Sequence, residues 1–136
     1  MQAISPQAAL IYVMVVVSAS DGSMSESELR TIGDLTQRLP VFRGFDDERL
    51  LQVSQECAAI LEEEDGLNAV LGLVSQNLPE HLRETAYWLA LEVALTDSRV
   101  ALEEIRVLEL IRRSLGVDRL AASALERGAR ARYQTA

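Results

Sequence analysis

The chain has 136 residues, enough for a single domain with a real core. A net charge of −8 argues against nucleic acid as the default partner, because phosphate binding needs a basic surface. Aromatics make up only 4% of the residues against 49% hydrophobic overall, so the core must be built from Leu, Val, Ile and Ala.

The elements follow in order. Ser5-Pro6 sets a helix start, with serine as N-cap and proline at the first helical position. The first helix runs to about Ala19, and its stretch Leu10–Val17 is apolar on nearly every side, as in a buried central helix. That stretch is far shorter than the ~20 residues of a membrane span and no basic region precedes it, so a cytoplasmic, non-spanning chain is expected. Ser25 and Glu28 then form a Ser-x-x-Glu capping box, and Leu29, Ile32, Leu35 and Leu39 are expected to line one face until Pro40 stops the second helix. Asp46 is expected to cap a third helix with Leu50, Val53, Cys57, Ile60 and Leu61 inward, and Asp65 a fourth with Leu67, Val70, Leu71, Val74 and Leu78 inward. Pro79 opens a fifth, carrying Leu82, Ala86, Leu89, Val93 and Ala94. A sixth carries Leu102, Ile105, Leu108, Ile111 and Leu115 and ends at Gly116, a C′ glycine. Asp118 caps a last helix to about Arg130 with Leu120, Ala121, Ala124 and Leu125 as its stripe, and residues 131–136 are expected to fray. With no strand pattern, the fold class is all-α, one bundle of about seven helices across residues 1–136.

Two stretches of this chain echo each other. Ser20-Asp21 and Thr96-Asp97 each join a small hydroxyl residue to an aspartate, with Met24 and Val100 three positions on. Glu28 and Glu104 stand seven on, followed by Leu29-Arg30 and Ile105-Arg106. A duplicated helix–acidic loop–helix unit, spanning about 5–39 and 79–115, explains the pattern with few assumptions. Charge is uneven as well: residues 1–98 carry 5 arginines and 16 carboxylates, while 99–136 carry 8 and 5.

Few residues suit catalysis. His81 lies at a helix start where a polar surface residue is expected, and Cys57 lies on an apolar stripe where cysteine behaves as a small buried hydrophobe. Phosphate loops, zinc spacings and dinucleotide fingerprints are absent from the sequence. The acidic loops remain. Packing of the two halves would bring Asp21, Glu28, Asp97 and Glu104 together, and like charges about 4 Å apart repel by about 4 kcal/mol at an effective dielectric near 20. Such a cluster needs a cation, an arginine or protons. Oxygen ligands of this kind suit Ca²⁺ or Mg²⁺, with Ser23 and Ser25 available to complete the shell. The bland alternative is that Asp21-Gly22 is an ordinary turn, Glu28 only a capping residue, and Arg99 the group that neutralises the second loop.

The paired Asp-x6-Glu loops, together with the Leu-Pro-Glu-His-Leu-Arg segment at 78–83, resemble the tellurite-resistance TerB family over nearly the whole chain. The resemblance implies a helical bundle of two related halves that binds a cation and acts through protein partners rather than catalysis. It implicates Asp21, Glu28, Asp97 and Glu104, and more weakly Glu26 and Glu103. Ser98 and Arg99 depart from that pattern in the second loop. The leading expectation is thus a non-enzymatic cytoplasmic module that binds a divalent cation and docks a protein, in a tellurite or other chemical-stress setting. It touches membranes only through partners, and a homodimer is compatible with its apolar content. The rivals are a metal-free structural interaction module and, with least support, a metal-assisted hydrolase, since no second set of convergent polar groups is evident.

Overall fold

The computed structural model describes residues 3–20, 22, 24–97, 100 and 102–136. Among them lie seven α-helices: α1 (Pro6–Ser18), α2 (Glu26–Arg38), α3 (Leu50–Leu61), α4 (Gly66–Asn77), α5 (Arg83–Ala94), α6 (Leu102–Leu115) and α7 (Arg119–Arg132). Three short 3-10 turns, Pro40–Phe42, Asp47–Arg49 and Glu80–Leu82, complete the helical content, and no strand occurs among the described residues. The all-α expectation holds.

α1 is the axis of the molecule. Ser5 caps it by accepting the Ala8 amide at 3.0 Å, and every residue from Ala8 to Ser18 is buried. A helix that is apolar all round must be surrounded, and α3, α4 and α5 pack along it while α2 and α6 close the remaining flank. α5 is the second hub. It packs on α1, α6, α7 and α2. The contacts cross between the two helical pairs: α6 touches α1, and α2 touches α5.

Local chemistry sets the boundaries. Ser25 and Glu28 form the full capping box at the start of α2. At the end of α6, Gly116 takes φ +68, and the Gly116 and Val117 amides donate to the Arg113 and Arg112 carbonyls, the two bonds of a Schellman motif. Arg83 adds a side-chain bond to the Leu115 carbonyl at 2.8 Å. Between α3 and α4 a Cβ on Gly66 would stand 2.2 Å from the Ile60 carbonyl oxygen, so the tight joint there requires glycine.

Several expectations need correction. Asp46 caps the 3-10 turn before α3, accepting from the Glu48 amide, rather than α3 itself. Asp65 occupies the N-cap position of α4 but caps no amide; it sits at φ 59 and its carboxylate accepts from the Asn68 side chain. Pro79 leads into a 3-10 turn before α5. Leu120 and Ala124 are exposed, and the inner face of α7 instead runs through Ala122, Leu125, Glu126 and Ala129. That helix also outlasts the expected fraying at residue 131, because it continues through Arg132, and Tyr133 is bonded to the core.

The largest correction concerns α2 and α6. Leu29 is 49% exposed and Ile105 52%, although both were expected to face inward. Glu28 and Glu104 hold the buried positions instead, each at 5% exposure. Successive helix residues are about 100° apart, so turning the glutamate inward swings its aliphatic neighbour outward. Both copies make this same exchange.

Candidate functional site

The two acidic loops meet where α1 and α5 end. From the first, Ser18 and Glu28 are both buried, and the Ser18 hydroxyl donates to Glu28 Oε1 at 3.2 Å. The same carboxylate oxygen accepts the Ser25 amide at 3.1 Å. From the second loop, Asp97 reaches across: the Ser27 hydroxyl donates to its Oδ1 at 2.6 Å and the Ser25 hydroxyl to its Oδ2 at 3.4 Å. Ser25 therefore touches a carboxylate from each loop. Beside it the Thr96 hydroxyl meets that of Thr31 in α2 at 3.0 Å, a second tie between the two halves.

Of the residues singled out by sequence, Glu28 and Asp97 are brought together through Ser25. Glu104 is buried in the first turn of α6, the place corresponding to that of Glu28 in α2. Glu26 is exposed and faces Arg30 at 3.8 Å, and Glu103 is exposed. Asp21, Ser23, Ser98, Arg99 and Ala101 lie outside the described residues. Among the described residues, no three His, Cys, Asp or Glu side chains gather into a metal-holding group. Hydroxyls and an amide serve Glu28 and Asp97, and neither forms an ion pair among the described residues.

A model described as "Tellurite resistance protein TerB" matches residues 7–127, from the first turn of α1 to the middle of α7. The chain belongs to the TerB family. No curated protein and no solved structure matches it. The TerB-family match takes in both acidic loops and both hub helices. No helix among the described residues is long and apolar enough to cross a membrane.

Two further groups matter for chemistry. Cys57 is fully buried, its Sγ 3.8 Å from the Tyr12 carbonyl oxygen, and burial pushes its thiol up to about 12. His81 is exposed at the surface. A buried neutral thiol and a solvated imidazole do not make a nucleophile with its base.

Sequence reasoning missed Glu92. It sits in α5 at 1% exposure, with Arg132 Nε 2.8 Å from Oε1 and the Tyr133 hydroxyl donating to Oε2 at 2.8 Å. Arg132 is held more basic chiefly by the Glu92 charge, and burial followed by the Glu92 hydrogen bond raises the Tyr133 phenol. The available signal was a lone carboxylate inside the apolar run Ala86–Ala94.

Proposed function

We propose that this TerB-family chain is a non-enzymatic interaction module whose joined acidic loops respond to a divalent cation, within a chemical-stress role of the kind the family's description names. The observation that carries the reading is Ser25, which donates to Glu28 of one loop and Asp97 of the other. Two carboxylates that share a serine repel each other, and a hard divalent ion would relieve that repulsion through oxygen ligands. The donor set fits such an ion, since carboxylates, serine hydroxyls and backbone carbonyls are all present at the junction. Glu28 and Asp97 would hold it, joined by Asp21. Cation binding would tie the end of α1 to the end of α5 and set the exposed surface that a partner reads.

A second reading has its own support. Hydroxyls and an amide already serve Glu28 and Asp97, as in a purely structural junction. One experiment separates the two. EDTA-stripped protein is titrated with Ca²⁺, Mg²⁺ or Mn²⁺ while its thermal unfolding is followed. At 100 times the dissociation constant a bound ion adds about 2.7 kcal/mol, several degrees in a domain of this size. A saturable shift that disappears in Asp21→Asn with Asp97→Asn supports the cation-responsive module. Unchanged melting with all three ions leaves the structural junction.

A further inference from the structure

α6 is apolar on two faces, and only one of them is covered. At about 100° per residue, Leu102, Ile105, Arg106, Glu109 and Leu110 fall within about 140° of arc, opposite the buried Glu104, Val107, Ile111 and Leu115. Ile105 and Leu110 are 52% and 42% exposed. Exposed apolar side chains gathered on one face of a surface helix, rather than scattered singly, are the pattern of an interaction site. The trough this face borders is real: α6 and α7 both pack on α5 but scarcely on each other. Between them lies an open cavity of about 850 Å³, floored by Tyr87, Leu91 and Leu95 of the α5 side. From Tyr87 to Leu95 is about 12 Å along a helix, the span over which a docked amphipathic helix sets its i, i+4 and i+7 anchors.

Charge selects the occupant. Of the two carboxylates lining the trough, Glu109 is offset by Arg112 at 2.7 Å and Arg113 at 3.0 Å, whereas Glu126 accepts the neutral Tyr87 hydroxyl at 2.6 Å and keeps its charge. Arg106 and Arg130 also line it and form no ion pair among the described residues. Counting Arg112 and Arg113 beside Glu109, four arginines face two carboxylates, so the trough and its rim are locally positive in a chain of net charge −8. We propose that it docks an amphipathic helix of a partner protein, apolar on its buried side and acidic on the flanks that meet Arg106 and Arg130. The proposal rests on the interaction-module reading and is independent of the cation.

The probe is a fluorescently labelled helical peptide of about 16 residues, with leucines at heptad spacing, made in a glutamate-flanked and a lysine-flanked version. Binding is followed by anisotropy against the full chain, with EDTA and with Ca²⁺. The glutamate version is expected to bind at least about tenfold more tightly than the lysine version. Ile105→Asp should abolish binding, and Arg106→Glu with Arg130→Glu should invert the preference, while circular dichroism shows each variant folded. Absence of binding by either peptide overturns the proposal. So does binding that ignores both sets of variants, which would leave an interaction module with its surface elsewhere. A concentration-dependent dimer dissolved by Ile105→Asp would overturn it in favour of a second copy. A calcium effect on binding or its absence bears only on the cation reading.

Discussion

Removing the partners of Glu92 should unfold this protein at a much lower temperature. The carboxylate is 1% exposed, and Arg132 and Tyr133, both at the end of α7, hold its two oxygens. Tyr133→Phe deletes one hydrogen bond to a charged acceptor, a loss of about 1.5–3 kcal/mol. Arg132→Gln removes the counter-charge; because the guanidinium side chain is 57% exposed, solvent screens part of the attraction and about 1–2 kcal/mol is expected. Together the changes strand a buried carboxylate, for which about 3–5 kcal/mol is the appropriate scale. At about 3–5 °C per kcal/mol for a domain of this length, the double variant should melt at least about 9 °C below the parent. The decisive assay is a thermal and urea cycle that includes Glu92→Gln. With the charge gone, deleting Arg132 and Tyr133 should cost much less, giving a coupling of about 1–3 kcal/mol. If the deletions cost the same with glutamine at 92, the carboxylate is not what α7 holds, and the reasoning fails.

Other outcomes follow from the same contacts. Cys57, with its thiol raised to about 12 from 9.0, should carry about 10³-fold less thiolate than a free cysteine at pH 8 and react with a thiol reagent only on unfolding; native-state labelling at the unfolded rate would contradict its burial. Arg112, by hydrogen bond and charge, holds Glu109 at about 2, below its ordinary 4.5. The folded value is the lower one, so this pair supports the fold fully above pH 4.5, and its support is lost as pH falls through about 2. Carboxyl-carbon NMR should place the midpoint near 2, and Arg112→Gln should return it toward 4.5.

Signals confined to one or two turns were legible in the sequence. Ser5-Pro6, the Ser25–Glu28 box, Gly116 and Asp118 each satisfy or terminate backbone groups within a few residues, and each does so in the structure. The all-round burial of α1 was equally readable, since no polar residue interrupts Leu10–Val17. Helix rotation was harder. A hydrophobic stripe assumes that glutamate faces water, but Glu28 finds Ser18 on a helix ten residues earlier, and that partner reverses the face. Glu92 illustrates the limit more sharply. Its partners lie 40 and 41 residues away, and only the packing of α7 on α5 brings them within reach. At the candidate site, the spacing identified Glu28 and Asp97, and the capping box identified Ser25, but the reach of Asp97 across to Ser25 and Ser27, 72 and 70 positions earlier, has no local signal.

The central place of α1 has a consequence for synthesis. Leu-Ile-Tyr-Val-Met-Val-Val-Val carries no charge and no proline, the composition of segments that pair into intermolecular strands. Its covering helices come later in the chain, and α5, the hub it rests on, ends only at Ala94. At about 5–20 residues per second, the segment waits roughly 4–15 s on the nascent chain before that cover exists. Slower translation lengthens the wait. The folded molecule keeps this segment sealed, so its risk of misassembly is concentrated in the seconds before the second half is made.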